Sequence, residues 1–136
     1  MSPEEIRVRT RQFLDATESP DWENQLRDFW ATPEAYEAEM SDARPFREAF
    51  ADYHFAVEDE DMIVGNNRIA YWGTVSATHV EEFPYRGLAD VPATGMKLEW
   101  YEVHVLSFNE EGKVVEHLLM ADEITRLQQL GTFPTG

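Results

Sequence analysis

The stretch that decides the fold runs from Gly95 to Gly131 and reads GMKLEWYEVHVLSFNEEGKVVEHLLMADEITRLQQLG. Residues 97–108 and 113–122 are rich in Val, Leu, Trp, Tyr and Phe, which favour strands. Gly112 stands where a tight turn requires a positive φ. The sequence therefore predicts two long antiparallel strands, joined at residues 109–112, at the centre of the fold.

The register of this hairpin follows from the position of its turn. With residues 110 and 111 at the turn, His104 lies opposite His117 and Trp100 lies opposite Ala121. Two histidines then share one largely apolar face of a sheet. Such imidazoles serve either in proton transfer or as hydrogen-bonded core residues.

The first half of the chain carries helix signals. Capping residues and apolar spacing predict four short helices, which begin at Pro3, near Asp21, at Pro33 and at Arg44, the last running to about Tyr53.

From residue 55 the apolar spacing changes to the strand period. A strand with an acidic interruption is predicted over Phe55–Val64, and a long one over Arg68–Phe83, in which Gly73 indicates a bend or bulge. Pro84–Gly95 is predicted to be a loop. Helices followed by hairpin strands predict an α+β fold in which the helices close the concave face of a curved, mainly antiparallel sheet. We expect residues 1–136 to form a single domain.

The charge balance excludes several partners. The chain has 27 acidic and 11 basic residues, a net charge of −16, and only two lysines, Lys97 and Lys113. So acidic a surface repels phosphate backbones and anionic lipids, so that neither nucleic acid nor membrane is an expected partner. Because 43% of the residues are hydrophobic, the chain is not disorder-like. An acidic surface poor in lysine favours a halophilic, salt-rich cytoplasm over the alternative of an ordinary acidic protein.

Other absences narrow the class of protein further. The chain has no cysteine, which excludes disulfides and thiolate chemistry. The N-terminal residues have no apolar signal region, and no run is long enough to span a bilayer, so a cytoplasmic location is expected. The four histidines lack the local spacing of a metal site, and no phosphate-binding glycine loop is present. No metal or other cofactor is therefore expected.

The end of the chain resembles a known family. The pattern GKVVEHxxxxDxxxxLQQLG, with PATG before the first strand of the hairpin, is similar to the SnoaL-like polyketide cyclases and ester cyclases of the NTF2-like superfamily. The resemblance extends back to about Phe46 and covers roughly the last two thirds of the chain. It implies a cone-shaped fold that encloses a pocket, with the N-terminal helices as its wall and lid.

The resemblance also implies catalytic residues. Asp122 occupies the position of the acid/base aspartate of the cyclases, which takes a proton from a carbon next to a carbonyl. An aspartate that caps the last helical turn is the structural alternative. His104 is the second candidate, as a proton partner of Asp122. The predicted register puts Asp122 on the face opposite His104, so either a bulge occurs near Ala121 or the two residues do not form one site.

Five further residues are candidates for binding a ligand: His79, His117, Trp100, Tyr53 and Trp72. Each has a structural alternative, since aromatic residues and strand histidines are most often part of the core. His79 either contacts a ligand or ends its strand. His117 either lines the cavity or makes a structural hydrogen bond.

Three functional hypotheses follow. The first is an acid/base enzyme of cyclase, isomerase or lyase type acting on a small, largely apolar or aromatic carbonyl compound. The second is a non-catalytic module that binds such a molecule, because proteins with this cone-shaped fold have many different functions. The third is an interaction protein whose outer sheet face forms a dimer interface, and a homodimer is compatible with either of the first two.

Overall fold

In the computed structural model, which describes residues 1–82 and 91–131, helices occupy the first third of the chain. They are α1 (Pro3–Thr17), α2 (Trp22–Arg27) and α3 (Pro33–Ala49). The residues before Pro3 and Pro33 cap their helices, as the sequence predicts: Ser2 Oγ accepts a hydrogen bond from the Glu5 amide at 3.1 Å, and Thr32 Oγ1 accepts one from the Ala35 amide at 3.1 Å.

Helix α3 corrects one part of the prediction. The helices expected to begin at Pro33 and Arg44 are a single helix, which continues through Pro45 and ends at Ala49. Pro45 removes one backbone donor, but its side chain is exposed and the fully buried Met40 and Ala49 hold the helix on the core. Packing of the apolar face therefore outweighs the local helix-breaking signal.

Five strands and a final helix make up the rest of the described chain. The strands are β1 (Phe50–Ala56), β2 (Met62–Val64), β3 (Arg68–His79), β4 (Lys97–Phe108) and β5 (Val114–Ala121), and α4 (Glu123–Gln129) follows. They form one antiparallel sheet in the order β1-β3-β4-β5, with β2 also paired to β3. The α+β prediction is confirmed, and β4 has the predicted bounds.

Two of the predicted strands have different limits. The stretch expected to be one strand over Phe55–Val64 is divided between β1 and β2, because residues 59–61 form a turn of 3-10 helix. β3 ends at His79 rather than Phe83. Of the predicted loop Pro84–Gly95, residues 84–90 lie outside the described residues.

The pairing of β4 with β5 differs from the predicted register by two residues. His104 lies opposite Leu119, and His117 lies opposite Leu106. Part of the difference is a bulge, since Ser107 pairs with Glu116 whereas Phe108 pairs with Val114. Because side chains alternate with period two, a shift of two keeps both histidines on the predicted common face.

The helices cover one face of this sheet, which we call the inner face. Along β3 the buried residues alternate with partly exposed ones, and the buried set includes Ile69, Tyr71 and Val75. These pack with Phe13 of α1 and Met40 of α3 in one hydrophobic core. The opposite side of the sheet is the outer face. None of the helices in the two described ranges is long and apolar enough to cross a membrane.

Gly73 marks a close approach of two strands. A Cβ atom at this position would lie 1.9 Å from the carbonyl oxygen of Ala56, at the end of β1. The bulge in this part of the sheet is in β1, between Ala51 and His54, and not at Gly73 itself. Glycine is therefore required at position 73 because the backbone of β1 occupies the space of a side chain.

Gly73→Ala is expected to lower the free energy of unfolding by about 3 kcal/mol, because a backbone strand must move to admit the methyl group. Urea denaturation checks this. Gly65→Ala is the matched control: its Cβ would lie 3.9 Å from the nearest atom, the Arg68 carbonyl oxygen, and we expect a change within about 0.5 kcal/mol. Equal effects of the two substitutions would contradict the proposed close approach.

Candidate functional site: a buried chain of carboxylates and imidazoles

Four ionisable side chains are connected by hydrogen bonds on the inner face. Glu102 Oε1 lies 2.7 Å from His104 Nε2, His104 Nδ1 lies 2.8 Å from His117 Nε2, and His117 Nδ1 lies 2.7 Å from Glu39 Oε1. We call Glu102, His104, His117 and Glu39 the buried chain. At its inner end, Trp100 Nε1 donates to Glu102 Oε2 at 2.6 Å.

Three elements bring these residues together. Trp100, Glu102 and His104 are alternate residues of β4 and therefore point to the same side. His117 reaches His104 from β5 across a diagonal of the ladder. Glu39, on α3, is the last member of the buried chain and lies at the protein surface, with 30% of its side chain exposed.

Aromatic rings enclose both histidines. The His104 ring stacks on Tyr71, with centroids 5.2 Å apart, and lies 4.7 Å from Phe55. The His117 ring lies 6.0 Å from Phe13 and 6.3 Å from Trp30. The buried chain therefore crosses an apolar layer between the sheet and the helices, where hydrogen bonds are stronger than in water.

This environment changes proton affinities. Burial lowers the pKa of His104, and the hydrogen bond to Glu102 opposes that effect. Burial raises the pKa of Tyr71 and of Tyr53, and the charge of Glu102 contributes to both. The two phenols therefore stay uncharged beside the carboxylate, and neutral His104 is favoured at neutral pH.

Two buried polar atoms next to the histidines have no hydrogen-bond partner among the described residues. They are the Tyr71 hydroxyl and Trp30 Nε1. Both belong to residues that pack on the rings of His104 and His117. Such unsatisfied buried polar atoms are rare in folded proteins.

Aromatic side chains lie between Glu102 and α4. We call this set the aromatic wall; its members are Phe46, Phe50, Tyr53 and Trp100. The Trp100 ring lies 5.7 Å from Phe50 and 6.0 Å from Phe46, and the Arg126 guanidinium carbon lies 5.0 Å from the Trp100 ring centroid. Tyr53 packs edge-on against Phe46 at 6.2 Å. Phe46 and Tyr53 are only partly buried, so this wall reaches solvent beside them.

The structure places Asp122 away from the buried chain. Its carboxylate caps α4, accepting hydrogen bonds from Thr125 N at 3.1 Å and Thr125 Oγ1 at 2.7 Å, and it is exposed. These hydrogen bonds lower its pKa. Gln129 holds the same helix to β4 by two bonds to the Glu99 backbone, at 3.0 and 2.7 Å. Asp122 thus has the arrangement of the capping alternative, and its catalytic role stays a prediction.

The ligand-binding candidates fall into two groups. Trp100, Tyr53 and His117 lie with His104 on the inner face, as described above. Trp72 pairs with Val103, on the outer face, so the structure does not bring it to this site.

His79 ends β3, eight residues beyond Tyr71, about 26 Å along an extended strand. The Thr94 amide donates to its Nδ1 at 3.2 Å, so that the predicted PATG turn holds this ring. Burial lowers the pKa of His79. His79 packs on Phe50, with centroids 5.3 Å apart, and therefore lies at the far end of the aromatic wall.

The predicted pocket beside the buried chain stays a prediction, and two clefts found among the described residues lie elsewhere. Clefts of about 500 and 250 Å³ lie at the surface, one between α1 and the β4–β5 turn and the other beside His54, and neither is lined by a member of the buried chain. In the described residues no group of three or more His, Asp or Glu side chains is placed to hold a metal ion. The four groups of the buried chain are arranged in a line and do not converge on a point.

Sequence reasoning missed Glu102, Glu39 and Tyr71. The period-two alternation of β4 already places Glu102 on the same face as Trp100 and His104, and a carboxylate at such a position is the signal that could have revealed it. No comparable signal exists for Glu39, because only the packing of α3 on the sheet brings it to His117.

Comparisons with known proteins agree with this architecture. AclR of Streptomyces galilaeus, a candidate hydroxylase, is 24% identical and has a TM-score of 0.77, with 98% of this chain and 100% of that chain covered. A candidate SnoaL-like polyketide cyclase of Jannaschia sp. CCS1 is 16% identical, with a TM-score of 0.80 and 98% of each chain covered. An NTF2-like protein of Burkholderia thailandensis is 15% identical, with a TM-score of 0.66 and 94% and 97% covered. No curated protein gives a significant match.

Helices on one face of a curved antiparallel sheet define the NTF2-like class of folds. Within that class, the family model of the SnoaL-like polyketide cyclases matches residues 9–130. The chain belongs to the SnoaL-like polyketide cyclase family. The match extends further towards the N-terminus than the resemblance in the sequence alone.

The lowered pKa of His104 predicts how stability depends on pH. An unfolded histidine has a pKa of about 6.5 and binds a proton that folded His104 resists, so the free energy of unfolding should decrease as pH falls below about 6.5. Urea denaturation from pH 8 to pH 5 measures this slope. In His104→Gln this part of the slope should be lost, whereas the exposed His54→Gln should retain it. The same slope in His104→Gln and wild type would contradict the assignment.

Proposed function

We propose that this protein is an acid/base enzyme of cyclase, isomerase or lyase type, acting on a small, largely apolar carbonyl compound. The observation that carries the proposal is the pair Glu102–His104, a carboxylate and an imidazole buried together beside an aromatic wall. A buried carboxylate with a positioned imidazole is suited to proton transfer, because neither group needs to reorganise water.

Glu102 is the proposed contact with the substrate. Both nitrogens of His104 are engaged, by Glu102 and His117, whereas each carboxylate oxygen of Glu102 has a further lone pair. The side of Glu102 towards Trp100 and Tyr53 carries the aromatic surfaces that suit a flat apolar ligand. Such a ligand would enter beside Phe46 and Tyr53, the members of the wall that reach solvent.

The proposed chemistry needs no further reactant. Glu102 takes the proton from a carbon next to the carbonyl, and the electron pair of that C–H bond forms an enolate. In an isomerase the proton returns to another carbon. In a cyclase the enolate carbon bonds to a second carbonyl carbon, and the resulting alkoxide takes the proton back from Glu102. His104 stabilises the carboxylate by donating from Nε2, as a positioning residue.

Exchange of the α-hydrogens of aryl methyl ketones for deuterium, followed by NMR, tests this proposal without knowledge of the natural substrate. Wild type should accelerate the exchange, and Glu102→Gln should lower the rate by about a hundredfold or more. Asp122→Asn is the matched carboxylate-to-amide change, and we expect its rate to stay within about twofold, because Asp122 is a helix cap. A large loss in Asp122→Asn with little change in Glu102→Gln would instead make Asp122 the base.

A non-catalytic binding module is the second proposal. It is favoured by the dense aromatic packing around the buried chain, which gives hydrogen-bonded residues a structural role. Quenching of the tryptophan fluorescence by aryl ketones, reduced in Trp100→Phe, with no acceleration of exchange in wild type, would support this role over the enzymatic one.

We also propose that the protein forms a homodimer through its outer sheet face. Four apolar side chains there are 43–78% exposed, and neighbours in the ladder place Val103 beside Met120; the set is Tyr101, Val103, Leu118 and Met120. A contiguous exposed apolar face of this kind suits a second copy of the same chain. With a net charge of −16 on each copy, association should require salt to screen repulsion, which agrees with a halophilic setting.

Met120→Glu should convert the dimer into a monomer, because it adds a charge at the centre of the proposed contact. Light scattering in low and in molar salt measures the mass. Val8→Glu, which places the same charge on an exposed apolar position of α1, should leave the dimer intact. A wild-type monomer at both salt concentrations would exclude the dimer, and full stability without salt would exclude the halophilic assignment.

A further inference from the structure

The hydroxyl of Tyr71 is a polar group of the inner face that does not belong to the buried chain. Tyr71 lies in the middle of β3, opposite His104 in the ladder, and the residue is 0% exposed. Its ring stacks on the His104 ring, but its oxygen has no hydrogen-bond partner within residues 1–82 and 91–131. A buried hydroxyl without a partner loses its hydrogen bonds to water and gains none in return, which is costly.

A second buried tyrosine shows the usual arrangement. Tyr36 of α3 is 2% exposed, and its hydroxyl donates to the carbonyl oxygen of Glu23 at 2.8 Å. In the described part of the chain, the Tyr36 hydroxyl thus has an acceptor and the Tyr71 hydroxyl has none. Packing of the ring does not explain the hydroxyl at position 71, since phenylalanine would fill the same space without an unpaired donor.

The Tyr71 hydroxyl stays protonated in the neighbourhood of Glu102. Burial raises the pKa of Tyr71, and Tyr53, Glu39 and Glu102 act in the same direction. Because the effect of a charge decreases with distance, the Tyr71 oxygen lies near Glu102. The ladder agrees, since Tyr71 is paired with His104, whose Nε2 lies 2.7 Å from Glu102 Oε1. The proposed base therefore has a neutral O–H donor in its surroundings.

We propose that the Tyr71 hydroxyl donates a hydrogen bond to the carbonyl oxygen of the substrate and stabilises the enolate that forms when Glu102 removes the α-proton. This inference rests on the proposed function, in which Glu102 is the base. As the C–H bond breaks, its electron pair forms the C=C bond, and one electron pair of the C=O bond moves to the oxygen. The proton goes to Glu102, and Tyr71 keeps its own.

The charges of the interior suit this step. One negative charge moves from the Glu102 carboxylate to the substrate oxygen, so the net charge of the buried groups does not change. The oxygen that receives the charge needs a donor that is already in place, because the apolar layer offers no water to reorganise around it. An O–H group fixed by the stacking of its ring on His104 meets that need.

The first arm of the test measures the hydrogen bond and needs no turnover. The infrared C=O stretching band of a bound aryl methyl ketone, labelled with ¹³C at the carbonyl, should lie at lower wavenumber in wild type than in Tyr71→Phe, because a donated hydrogen bond weakens the C=O bond. Tyr36→Phe is the matched control and should give the wild-type band. The same band in wild type and Tyr71→Phe, or no binding of the ketone to wild type, would overturn the proposal.

The second arm is the stability of the free protein. Tyr71→Phe should leave the midpoint of urea denaturation unchanged or raise it, because no hydrogen bond is lost. Tyr36→Phe should lower the midpoint, because the bond to the Glu23 carbonyl is lost. If Tyr71→Phe lowers the midpoint as much as Tyr36→Phe, a buried water or another structural group already satisfies the hydroxyl, and the proposal is wrong.

The third arm uses the ketone exchange assay. Tyr71→Phe should lower kcat about a hundredfold with a much smaller change in KM, since the donor acts mainly on the charge that develops during the reaction. Tyr36→Phe should exchange at the wild-type rate. A Tyr71→Phe variant with wild-type kcat would refute the role in catalysis. If wild type shows the shifted carbonyl band but catalyses no exchange, the proposed function fails and the carbonyl-binding role of Tyr71 remains.

Discussion

The uninterrupted pairing of β3 with β4 is the interaction on which the rest of the structure depends. It runs from Arg68 opposite Ser107 to Thr78 opposite Lys97 and places Tyr71 opposite His104 in the middle of the sheet. Helices α1 to α3 then cover the same face. Glu102 and the two imidazoles buried on this face are hydrogen-bonded to one another and to Glu39, because an unpaired ionisable group there is costly. The buried chain is the arrangement that meets this requirement.

The bulge in the β4–β5 hairpin contributes to the relative position of the two buried imidazoles. With the predicted register, His104 and His117 would lie directly opposite each other. The bulge contributes to the shift of β5 by two residues, which leaves both imidazoles on the inner face but sets them on a diagonal, with two ring nitrogens 2.8 Å apart. In the observed register His117 also contacts Glu39 of α3, which completes the buried chain. The bulge in the β4–β5 pairing thus occurs together with the hydrogen bonds that link Glu102, in the interior, to Glu39, at the protein surface.

The sequence motif at the end of the chain has a structural explanation of its own. Asp122 caps α4, and Gln129 bonds to the backbone of Glu99, beyond the last residue of β4 that pairs with β5. Both residues belong to the pattern that carries the family resemblance. A motif can therefore identify a family correctly through residues that fix a helix, while the ionisable groups of the interior lie elsewhere.

The sequence by itself determined the α+β class, the bounds of β4, the helix caps and the common face of His104 and His117, because these follow from local propensity and from side-chain periodicity. It did not determine the unbroken α3, the division of β1 from β2 or the register of β5, since packing and a bulge override local signals there. Only the tertiary structure joined Glu39 to His117 and placed Asp122 in solvent. Hydrogen bonds between distant elements depend on how those elements pack, and no spacing within the chain encodes that distance.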